Sequence, residues 1–124
     1  MQQSPRVLTS CASIGVLVGG LAMMTATSTS AAEPSVIEQG KEVAFDRKKG
    51  NCLACHQMDD GTLPGNIAPP LFNMKQRFPD KAKLRAQIWD STVSNPNTIM
   101  PPFGRNKILT EAELDKLTEY VYTL

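Results

Sequence analysis

The stretch Gly50-Asn51-Cys52-Leu53-Ala54-Cys55-His56 places two thiols three residues apart, with an imidazole directly after the second. Four kinds of chemistry use such a set. A structural disulfide here would close a loop with only two residues between its ends, and so short a loop gains little chain-entropy stabilisation. A thioredoxin-like redox pair has the same cysteine spacing but sits in a strand-to-helix context, and no alternating strand and helix pattern surrounds this one. A tetrahedral zinc site needs further strong ligands, whereas the whole chain contains one histidine. Covalent haem attachment uses all three residues. The two thiols reach the vinyl groups on one edge of the porphyrin, and the adjacent histidine turns beneath it to bind iron.

With His56 spent on one face of the iron, the second axial ligand has to be another soft donor, and methionine is the obvious class. Met58 follows His56 by two residues and lies on the same side of the ring, so it cannot reach round. Met74 is possible on reach alone, but it precedes the basic stretch Lys75-Gln76-Arg77 and is equally suited to packing. Met100 stands in Asn97-Thr98-Ile99-Met100-Pro101-Pro102-Phe103-Gly104, where two prolines fix the chain and remove amide donors. A stiff, extended loop of this kind presents a ligand, so Met100 is the expected second axial residue; its alternative use is as core filler.

Helices must hold these residues in place. Ser35 and Glu38 form a capping box that opens a helix expected to run to about Lys49 and stop at Gly50, with Val36, Gly40, Val43 and Ala44 at helical spacing. Gly40 costs helix propensity, which points to a close crossing with the C-terminal helix near Leu117 and Tyr120. Asp80 caps a second helix expected through about Val93, burying Leu84, Ile88 and Trp89. Thr110 and Glu113 form another capping box, followed by Leu114, Leu117, Val121 and Leu124 on one face of a C-terminal helix. No segment alternates as a strand does, so the fold class is all-α: a few helices and long, proline-rich loops around one haem.

The 124 residues suffice for one small domain. Residues 1–32 contain no acidic residue, one arginine, an apolar run from Ile14 to Met24 and small residues ending in Ser30-Ala31-Ala32. They read as a cleavable secretory signal, leaving residues 33–124 as the haem domain. A membrane anchor is the alternative, but Gly15, Gly19 and Gly20 interrupt the run, which is shorter than the roughly 20 residues of a span. Only four residues separate Arg6 from Cys11, which leaves no hydrophobic region ahead of a lipidation site. Once Arg6 is removed, 12 basic residues face 12 acidic ones, so there is no charge excess for binding nucleic acid.

The order of helix, Cys-Leu-Ala-Cys-His, proline loop, helix, Met-Pro-Pro-Phe-Gly and terminal helix resembles the class I cytochrome c family over essentially all of residues 33–124. That resemblance implies a role for Pro69 in Ala68-Pro69-Pro70-Leu71: its carbonyl accepts the proton on the second nitrogen of the proximal histidine. Ala68 stands where the family has glycine, which puts the local turn in question. Within this family, GNCLACH, GNIAPPL, LRAQIWDSTVSNPNTIMPPFGRNKILT and LTEYVYTL resemble the SoxX branch, monohaem subunits of periplasmic SoxAX complexes. The resemblance implies one haem c with His/Met ligation and a SoxA-type cytochrome partner in a heterodimer. It further implies action on a SoxYZ carrier protein in thiosulfate oxidation, and a downstream soluble cytochrome c as electron acceptor. The bond-forming, thiosulfotransferase step would fall to a haem with a modified cysteine ligand in the partner, and no catalytic residue is expected in this chain.

Three other readings compete. A free periplasmic monohaem carrier would share every iron-binding feature. A ligand sensor or peroxidase-like enzyme would need an open iron position, which a bound Met100 denies. A docking module would use its haem for stability alone. Phe72, Phe78, Phe103 and Arg105 fall in haem-side loops, where they could face a partner or pack on the porphyrin.

Overall fold

A computed structural model describes residues 33–124; the expected secretory signal, with Cys11, lies outside the described residues. The first helix, α1, spans Val36–Phe45. Its capping box is complete: the Ser35 hydroxyl accepts the Glu38 amide at 3.2 Å, and the Glu38 carboxylate accepts the Ser35 amide at 2.7 Å. The helix stops four residues short of the expected Lys49. Asp46 is extended, its side chain accepts the Lys48 amide at 2.8 Å, and its carbonyl accepts Lys49 and Asn51 at 3.0 Å each. The aspartate thus offers the backbone local partners that compete with another helical turn. Asn51 then adopts a left-handed conformation, φ 47°, and swings the chain into a 3₁₀ turn at Cys52–Ala54.

A short helix, α2, covers Met74–Arg77, a segment for which the sequence suggested only a basic turn. The next helix, α3, spans Lys81–Trp89 behind its Asp80 cap. It ends before the expected Val93 because Asp90 leaves helical geometry at φ −151° and caps a separate 3₁₀ turn, Ser91–Val93. Leu84 and Ile88 are buried as expected, whereas Trp89 is only partly so. The last helix, α4, spans Glu111–Thr123 with the Thr110–Glu113 capping box formed. It buries Tyr120 together with Leu114, Leu117 and Val121, the three aliphatic side chains each worth about 1.5–3 kcal/mol when taken out of water.

Helix α4 is the hub, with α1, α2 and α3 all packed against it. The α1/α4 crossing depends on Gly40: a Cβ there would overlap the Lys116 carbonyl oxygen and come within 2.8 Å of Tyr120 Cβ. Tyr120 meets the Phe45 ring edge-on at 6.3 Å between centroids. Its hydroxyl donates to Asp59, which also pairs with Lys41 at 2.8 Å. This polar link ties the segment after the cysteine motif to both helices. Among the described residues there is no strand, only a single bridge between Met58 and Leu71.

Candidate functional site

One end of the helical assembly opens into a cavity of about 580 Å³. Cys52, Cys55 and His56 enter it from the turn after α1, and Met100 and Phe103 from the proline loop. Leu84, Ile88, Leu117 and Val121 form its apolar wall from α3 and α4. The volume falls within the roughly 300–1,000 Å³ of cofactor and ligand pockets. Among the described residues no group of three or more His, Cys, Asp and Glu is placed to hold a bare metal ion. Burial pushes the Cys52 thiol up to about 12, so at neutral pH it is a neutral thiol and not a nucleophilic thiolate. An apolar cleft with two thiols and one imidazole at its edge fits a flat, covalently held porphyrin.

The backbone explains how His56 is aimed. Residues 65–71 lie along residues 53–57, with the Gly65 amide donating to Leu53 at 2.7 Å, Ala68 to Cys55 at 3.1 Å and Leu71 to Gln57 at 2.8 Å. That strap brings the Pro69 carbonyl to 2.6 Å from His56 Nδ1. A carbonyl only accepts, so Nδ1 carries the proton and donates, leaving the Nε2 lone pair free for a metal. Ala68 is not among the residues with positive φ, so the alanine fits the turn without glycine's freedom.

The three methionines separate. Met58 is buried in the core and does not line the cavity. Met74 and Met100 both line it, but the Met74 sulfur is engaged at 3.3 Å by Arg77 Nη1, which also donates to the Pro70 carbonyl at 2.9 Å. Met100 is partly buried, with its amide donating to Thr98 Oγ1 at 3.2 Å and its carbonyl accepting from Ser91 Oγ at 2.8 Å. Of the haem-side residues named from sequence, Phe78 and Phe103 line the cavity, Phe72 is exposed, and Arg105 is held by Asp90 at 2.8 Å.

Sequence reasoning missed Arg77, Ser91 and Thr98. The run Asp90-Ser91-Thr92, rich in residues that cap helices, was the available signal, because it interrupts a helix wherever its side chains find backbone partners.

The family described as cytochrome C oxidase, cbb3-type, subunit III matches residues 36–121. The chain belongs to this cytochrome c family. Membership makes it a c-type cytochrome, an electron-transfer protein with covalently bound haem c. This cytochrome also resembles a chain in the crystal structure of SoxXA from P. pantotrophus, with a TM-score of 0.64 and 26% identity over 74% of this chain and 83% of that one. It is therefore SoxX-like as well as all-α. A second relative is an uncharacterized lipoprotein from Aquifex aeolicus (strain VF5), 32% identical over 76 residues, 60% of this chain. The match spans 37% of that relative's length. No helix among the described residues is long and apolar enough to cross a membrane.

Proposed function

We propose that this cytochrome is the electron-transfer subunit of a SoxAX-type complex, exported to the periplasm with cleavage of residues 1–32, its domain comprising residues 33–124. In this reading it pairs with a SoxA-type cytochrome. The complex conjugates thiosulfate oxidatively to a cysteine of a SoxYZ carrier and passes electrons to a soluble cytochrome c. The observation that carries the reading is the cavity that gathers Cys52, Cys55, His56 and Met100 on a SoxXA-like fold.

Cys52 and Cys55 would hold the porphyrin covalently, His56 Nε2 and the Met100 sulfur would bind iron, and Pro69 would fix the imidazole tautomer. When bound, the haem supplies a one-electron couple, and His/Met ligation places it at high potential. The apolar wall from α3 and α4 excludes water from that couple. Forming an S–S bond from two reduced sulfur species releases two electrons, so this subunit works twice per bond or shares storage with its partner. Attachment would use both cysteines of residues 33–124, Cys52 and Cys55, which would leave no thiol there for the sulfur chemistry and assign that step to the partner.

Substituting the second axial residue tests the reading. Met100→Ala, with haem content and complex assembly intact, is expected to cut thiosulfate-dependent electron transfer by more than about tenfold and to lower the reduction potential. Unchanged turnover and potential would contradict it.

A further inference from the structure

We propose that Ser91 is a positioning residue that holds the Met100 loop closed over the cavity. The inference rests on the reading of Met100 as second axial residue and concerns what keeps it there. Ser91 is fully buried, and its hydroxyl donates to the Met100 carbonyl at 2.8 Å. Pro101 follows, so this bond fixes the orientation of a peptide group that has no N–H of its own. Neighbouring contacts fasten the same loop to the same segment. The Gly104 and Arg105 amides both donate to the Trp89 carbonyl, at 3.1 and 3.3 Å. The Arg105 guanidinium reaches the Asp90 carboxylate at 2.8 Å and the Thr92 hydroxyl at 3.0 Å. Gly104 lies under the Trp89 indole with no room for a side chain.

The break in α3 at Asp90 is thereby given a use. It turns Ser91 out of helical register, where its hydroxyl meets the loop that carries Met100. The contrast with Thr98 is informative, because the Met100–Thr98 bond lies within the loop and survives its detachment. The Ser91 bond joins the loop to the helical body and is lost when the loop leaves. Removing the hydroxyl leaves the Met100 carbonyl unpaired in the closed state but free to meet water in the detached state, so the detached population rises.

Imidazole, which competes for the position Met100 is proposed to fill, reads that population in a spectroscopic titration of the haem-loaded protein. Ser91→Ala is expected to tighten imidazole binding about tenfold. Arg105→Gln, at an exposed position, is expected to tighten it about two- to fivefold. In a Met100→Ala background the Ser91→Ala change is expected to fall below about twofold, because the loop no longer competes. If Met100→Ala tightens imidazole binding but neither Ser91→Ala nor Arg105→Gln does, the positioning role is overturned and the ligand assignment stands. If Met100→Ala itself leaves the affinity unchanged, the ligand assignment fails, and the role of Ser91 with it.

Discussion

Glu113 is a single side chain that serves two structures at once. It closes the capping box of α4 with Thr110 and reaches Lys49 at 2.6 Å, just before the cysteine motif. Lys49, then the amide and hydroxyl of Thr110, hold its carboxyl down at about 2, against an ordinary 4.5. A depressed folded-state value stabilises the protein above the unfolded value, and that stabilisation is lost as pH falls from about 4.5 through about 2. Glu113→Gln is therefore expected to lower the melting temperature by roughly a few degrees at pH 7. The gap to wild type should close as thermal scans move from pH 4.5 toward 2; a gap independent of pH would contradict the assignment. At this scale the sequence disclosed unequally. Cys52, Cys55 and His56 announce themselves because rare residues at fixed spacing have few uses, and both capping boxes were legible for the same reason. Pro69 acts through a carbonyl that every residue possesses, so only family resemblance pointed to it. Ser91 and Arg77 bond to backbone carbonyls 9 and 7 residues away, distances that no local pattern marks.

Between elements, one glycine decides how closely the helices meet. Gly40 lets α1 lie against the Lys116 carbonyl of α4, and backbone on both sides of that contact leaves nothing soft to give way. Gly40→Val is expected to force the helices apart at a cost of about 1–3 kcal/mol, visible as a lower denaturation midpoint of the haem-loaded protein. A variant of wild-type stability would show that the crossing is loose. The starts of α1, α3 and α4 were legible because caps are local, and the close crossing at Gly40 was legible from its cost to the helix. The ends of α1 and α3 were not. Asp46 and Asp90 each stop a helix by bonding to amides two residues on, ahead of the stop signals Gly50 and Asn95-Pro96 that the sequence displays. Helix α2 escaped notice because its four residues are too few to display a period. These departures have consequences: the early stop at Asp46 frees the turn that carries the cysteines, and the break at Asp90 frees the segment that grips the methionine loop.

Taken as a whole, the molecule is an electron-transfer cytochrome whose helices leave an apolar cavity beside the core. Its helices supply walls, and its long loops bring Cys52, Cys55, His56 and Met100 to one cavity. The chain's 13 basic residues nearly balance its 12 acidic ones, a net charge of +1 that offers little long-range steering toward a polyanion. Recognition of the proposed partner would therefore rest on local surface and shape. The central claim is that this cytochrome works as one subunit of a two-cytochrome complex. The most direct test is a native mass measurement on protein purified under mild conditions from its own host, reading complex mass and covalent haem per chain together. The expected result is a heterodimer with a larger cytochrome, in which this chain has lost its first 32 residues and carries one haem. A lone chain carrying one haem would contradict the claim, leaving a free electron carrier with the same iron chemistry.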